Sequence, residues 1–142
     1  MLSHHPTEAD YLTADEMRRL LEALAPGQAL EGLAEDVVLC DHAQERSFAG
    51  RAAVGRFLAA WFRQGFSSVQ TEPGTMVRGE AAAVFAFTFH GRQDGPFMGL
   101  PPTRQPVALP MVLVCRADGG LLTHAALYYN AGTLLRQLGL GL

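Results

Sequence analysis

Apolar residues recur along this chain with two periods, and the change from one to the other organises it. Near the start, Met17, Leu20, Leu21 and Leu24 fall at helical spacing and make one stripe. Thr13 and Glu16 form a capping box ahead of that stripe, and Pro26-Gly27 ends it. A shorter turn over 29–33 offers Leu30 and Leu33 to the same core. The run 36–42, DVVLCDH, alternates as a strand, with Asp41 on the face of Val37 and Leu39. A polar loop over 43–49 follows. Residues 50–66 return to helical spacing, with Val54, Phe57, Leu58 and Trp61 inward and Arg51, Arg56 and Arg63 outward.

From residue 68 the period is two. Four strands are predicted, at 68–77, 81–90, 107–116 and 121–129, as two hairpins. Arg78-Gly79-Glu80 closes the first, and Asp118-Gly119-Gly120 closes the second. Phe85, Phe87 and Phe89 share one face of their strand. The stretch 91–106, rich in Gly and Pro, is too long for a tight turn. Asn130 is placed to cap a last helix docked by Leu134, Leu135 and Leu138. Helices first and antiparallel strands after predict an α+β domain, with helices over one face of a curved sheet. The open end of such a sheet is a natural small-molecule pocket.

The chain has 142 residues, enough for one domain with its own core: an arm over 1–12, then a single domain over 13–142. The net charge of −3 and the lack of a basic run argue against a nucleic-acid groove. All eleven basic residues are Arg. No apolar run reaches the length of a membrane span, and the first ten residues hold no signal-like apolar core, so the cytoplasm is the expected compartment. Cys40 and Cys115 read as buried thiols there, although a disulfide between them stays open.

No nucleotide loop, nucleophile elbow or paired metal-ligand spacing is present, and the expectation is neither metal nor cofactor. The acid–base candidates that remain are Asp41, His42, His90, His124, Tyr128 and Tyr129. By strand parity His124 shares a face with Leu122, Ala126 and Tyr128, and small neighbours leave room before the imidazole. Such a histidine can move a proton near neutral pH; its plainer reading is a core or interface group satisfied by one hydrogen bond. Asp41 reads either as a partly buried proton acceptor or as the start of a turn. Tyr128 could donate to a carbonyl or enolate oxygen, whereas Tyr129, of opposite parity, reads as packing or interface.

The runs HGRQDGPFMGLPPTRQPVALP (90–110) and LLTHAALYYNAGTLLRQLGL (121–140) resemble the SnoaL-like polyketide cyclases, also called ester cyclases. The pair Asp41-His42 and the run Gly50-Arg51-Ala52 fit the same pattern. The resemblance implies a nuclear transport factor 2-like fold: helices over a cone-shaped, strongly curved, mostly antiparallel sheet with an internal pocket. Those cyclases close a ring by an intramolecular aldol step, without metal or organic cofactor, after a carboxylate removes a proton beside a carbonyl. They carry a His and an Asp two residues apart on the last strand. His124 matches the His, and Ala126 stands in place of the Asp. Asp41 matches a polar ligand-contacting position on the first strand, and Asn130 stands where many relatives have Asp.

Together these readings predict cofactor-independent acid–base chemistry on a small apolar carbonyl compound. His124, Asp41 and Tyr128 are the catalytic candidates. Leu39, Trp61, Phe87, Phe89, Phe97, Met98, Met111 and Ala126 are the expected ligand-binding walls. Two alternatives stand beside this: a hydrophobic small-molecule binding protein with the same pocket, or a dimer scaffold with a filled cavity. A homodimer is expected through the outer sheet face, with Val112, Val114, Leu127 and Tyr129 as candidates. Neither nucleic acid nor membrane is an expected partner.

Overall fold

Alternating apolar positions become six strands of one sheet in the computed structural model, which describes residues 32–80 and 82–140. The arm over 1–12 and the helix predicted from Thr13 lie outside the described residues. In chain order the elements are β1 (Leu33–Asp41), β2 (Arg46–Ala49), α1 (Arg51–Ala59), β3 (Ser67–Arg78), β4 (Ala82–Arg92), β5 (Pro106–Asp118), β6 (Leu121–Tyr129) and α2 (Ala131–Gln137). The spatial order is β2-β1-β6-β5-β4-β3. Every neighbouring pair is antiparallel except β1 and β6, which run parallel. Helix α1 continues as a π-helical turn, Ala60–Gln64, which carries Trp61 and Phe62 into the core together.

The inner face is set by strict alternation on three strands. Phe85, Phe87 and Phe89 on β4 face inward with Leu109, Met111, Leu113 and Cys115 on β5. Val37, Leu39 and Asp41 do so on β1. Helix α1 lays Val54, Phe57 and Leu58 over this face. Trp61 sits at the centre of an aromatic cluster, edge-on to Phe89, Phe97 and Tyr129 and stacked on Phe66 at 5.6 Å. Each such pair adds about 0.5–1.5 kcal/mol beyond its buried area. Removing the indole would cost about 3–5 kcal/mol.

The turn Asp118–Leu121 closes as expected, with Gly119 and Gly120 both at positive φ, the backbone that a two-residue hairpin needs. Asn130 caps α2 by accepting from the Thr133 N–H at 3.0 Å. Leu134 and Leu138 dock that helix, while Leu135 is exposed, a correction to the predicted stripe. The supposed loop over 43–49 contains strand β2, whose polar residues hide a four-residue edge strand.

Strand β6 departs from its predicted parity. Pairing with β5 slips between Arg116↔His124 and Ala117↔Leu122, so Thr123 is an extra residue on β6. A bulge of one residue inverts every side chain beyond it. Leu122 is inward, but after the bulge Ala125, Leu127 and Tyr129 take the inner face. His124, Ala126 and Tyr128 turn outward.

Candidate active site

Parallel pairing of β1 with β6 brings two carboxyl-terminal strand ends to one corner of the sheet. Asp41 ends β1, and Tyr129 ends β6. Asp41 is 1% exposed, one of two buried polar side chains among the described residues. Its Oδ2 accepts from Tyr129 Oη at 2.7 Å and from Gln44 Nε2 at 2.9 Å. Its Oδ1 accepts from the Gln44 backbone N–H at 3.0 Å. Gln44 Nε2 also donates to Tyr129 Oη at 2.6 Å, which closes the triangle. Three of the roughly four acceptor sites of the carboxylate are thus filled, and one on Oδ1 remains.

Burial pushes the Tyr129 phenol well above its ordinary range; the Gln44 amide opposes this, and the Asp41 carboxylate adds to it. Tyr129 therefore stays a neutral hydrogen-bond donor at physiological pH. Because the carboxylate fixes the amide nitrogen of Gln44, the amide carbonyl must point elsewhere. Gln44 itself borders a cleft of about 400 Å³. Among the described residues the cleft is lined also by Arg46, Phe48, Arg56, Phe57, Trp61, Phe97 and Met98, with Ala53 and Ala60. One wall is the π-helical turn, and Phe97 and Met98 bring the 94–103 segment to the rim. That segment is held by Gln93, which is fully buried. Gln93 Nε2 donates to the carbonyls of Gly95 and Pro101, and its Oε1 accepts from the N–H and hydroxyl of Thr103.

Trp61 Nε1 is the sole buried side-chain polar atom among the described residues with no hydrogen-bond partner. A buried N–H without an acceptor is costly, by about 1–3 kcal/mol, and such groups are uncommon in native cores. The Trp61 ring lines the cleft, while Nε1 itself is closed off from solvent.

The expected site residues are therefore divided. Asp41 lies in the buried network, and Trp61, Phe97 and Met98 line the cleft. Leu39, Phe87 and Met111 do not line it; they close on a residual apolar gap of about 10 Å³ in the depth of the cone, and Phe87 and Met111 also border a second groove. Phe89 is packed inside the aromatic cluster. The predicted facing of His124, Tyr128 and Ala126 is corrected by the β6 bulge, which puts all three on the outer face. His124 is exposed, and its Nδ1 meets Thr123 Oγ1 at 3.2 Å. Tyr128 stacks on His42 at 4.5 Å with rings parallel to 1°, beside a shallow groove of about 640 Å³. The same slip takes Leu127 and Tyr129 off the outer face proposed for dimerisation, leaving Val112 and Val114 there. Gln44 and Arg46 were missed as site residues, because their loop carried no signal beyond polarity.

No helix among the described residues is long and apolar enough to cross a membrane.

The curved, open six-stranded sheet with helix α1 over its inner face is the nuclear transport factor 2 or ketosteroid isomerase-like α+β fold. A protein with a ketosteroid isomerase-like fold from Catenulispora acidiphila, solved with trimethylamine, superposes with a TM-score of 0.74 at 21% identity, over 90% of this chain and 95% of its own. A protein assigned to the SnoaL-like polyketide cyclases from Jannaschia sp. CCS1 gives 0.78 at 17% identity, over 96% and 97%. TsrD from Streptomyces laurentii gives 0.75 at 22% identity, over 96% and 99%. No curated protein matches the sequence. The model of the SnoaL-like polyketide cyclases matches residues 12–138, and the chain belongs to that family.

Proposed function

We propose that the cleft carries out cofactor-independent acid–base chemistry on a small apolar carbonyl compound. The observation that carries this reading is the buried Asp41 carboxylate, held by Tyr129 and Gln44 where Gln44 opens onto an aromatic-walled cleft. Asp41 accepts the proton beside the carbonyl through its remaining acceptor site. Tyr129 and Gln44 fix the carboxylate, so little reorganisation accompanies proton transfer. Membership of a cyclase family supports the reaction class.

The test does not need the natural substrate. Exchange of the α-protons of 2-tetralone in D2O, followed by NMR, reads enolisation directly. Acceleration over buffer is expected, and replacing Asp41 by Asn should slow it about 100-fold or more through loss of the proton acceptor. No acceleration, or full activity without the Asp41 carboxylate, would contradict the reading. A second reading, ligand binding without chemistry, is favoured by the crowding of Asp41 with three donors. It predicts probe binding with no exchange.

A further inference from the structure

We infer that the compound taken by this cleft carries an anionic group of the carboxylate class beside its apolar body; this rests on the reading that the cleft is the reaction site. The register of β1 with β2 sets Arg46 directly opposite Asp41. Opposite charges facing each other across strands ordinarily pair. Here no ion pair forms between them; Tyr129 and Gln44 fill three of the carboxylate's acceptor sites. The Arg46 guanidinium lies instead over the Phe48 ring, 5.0 Å from its centroid, at the cleft wall. Arg56 reaches the same cleft from α1. Neither guanidinium pairs with a carboxylate among the described residues.

Among the described residues, the charged side chains lining the cleft are Arg46 from β2 and Arg56 from α1, with Asp41 of β1 bonded to Gln44 beside them. On the rim segment, Asp94 is held away by Arg92 and Arg104. Among the described residues, two cations against one carboxylate leave the site net positive above aromatic walls. A guanidinium stacked on an aromatic ring keeps its N–H fork free, and that planar fork matches a carboxylate. The geometry suits a molecule whose apolar part lies on Phe57, Trp61 and Phe97 while its acid group meets Arg46 and Arg56.

Trp61 is the only tryptophan in the chain, so its fluorescence reports occupancy of the cleft. The test compares 4-phenylbutanoate with the neutral 4-phenylbutanamide, titrated against the intact chain at low salt. The acid should bind about tenfold tighter or more, the scale of a charge-assisted contact. The preference should fall below about twofold in the double variant Arg46→Gln, Arg56→Gln, with amide affinity unchanged. On the wild-type protein, 0.5 M NaCl should weaken the acid and leave the amide alone, because exposed guanidiniums are screened. Equal affinity for the two probes, tighter amide binding, binding of neither, or a preference that survives the double substitution would each overturn the inference. Loss of 2-tetralone exchange with the acid preference intact would instead strike the reaction and spare the ligand class.

Discussion

Tyr129 donates its hydroxyl proton to Asp41 at 2.7 Å across 88 residues of chain, tying the end of the last strand to the end of the first described one. The bond exists because β1 and β6 run parallel side by side and because one extra residue at Thr123 turns Tyr129 inward. Replacing Tyr129 with Phe keeps the ring against Trp61 but strips a donor from a buried carboxylate. A loss of about 1–3 kcal/mol is expected in urea unfolding. A neutral result would mean that the triangle with Gln44 is not intact in solution.

Gln93 acts on the cleft from outside it. Its side chain makes four hydrogen bonds that fold the 94–103 segment, and Phe97 and Met98 ride on that segment. In Gln93→Leu those backbone groups lose their partner in a buried setting. Stability should drop by about 1–3 kcal/mol, and amide hydrogen exchange over 95–103 should accelerate more than in the β5–β6 hairpin.

Two buried acids set the behaviour at high pH. Burial pushes the Cys115 thiol from 9.0 up to about 11, partly offset by its bond to the Ala83 carbonyl, and pushes Tyr129 up as well. Both bind their protons more tightly folded than unfolded: the Cys115 contribution is full below pH 9 and is lost as pH rises through about 11, while that of Tyr129 begins to decline only above about 10.0. The urea midpoint should stay level from neutral pH to about 8.5 and fall beyond it, less steeply in Cys115→Ala. A midpoint that climbs above pH 9 would contradict this. At pH 8 a thiol reagent should label the half-buried Cys40 well before Cys115.

Gly95 passes against the end of the π-helical turn, where an added Cβ would stand 1.9 Å from the Gln64 carbonyl oxygen. Gly95→Ala must push the rim segment away from α1. The expected cost is about 1–3 kcal/mol, with a smaller Trp61 quench by 4-phenylbutanoate. Unchanged stability and quenching would show that the rim is not pinned there.

Much of the frame was legible in local pattern. The Phe85/Phe87/Phe89 alternation, the Asp118-Gly119-Gly120 turn and the Asn130 cap each depend on residues a few positions apart, and each is present. The family resemblance carried the fold further than periodicity could. What escaped depends on distant partners. Thr123 looks like any strand residue, and only its pairing against Arg116 and Ala117 shows the bulge that moves His124 outward. The pairing of β1 with β6 joins the two ends of the described chain, so nothing near Asp41 announced Tyr129. Gln93 lay in a Gly- and Pro-rich stretch, and its burial follows from a loop path that composition does not encode.

The most direct test sets the two proton-acceptor candidates against each other. Exchange of 2-tetralone α-protons in D2O is measured for the wild-type protein, Asp41→Asn and His124→Ala, with folding of each checked by circular dichroism. The account predicts that Asp41→Asn lowers the exchange rate by about 100-fold or more, while His124→Ala, on the outer face, leaves it unchanged. Retained exchange in folded Asp41→Asn, or its loss in His124→Ala, would contradict the assignment of the chemistry to the Asp41 corner.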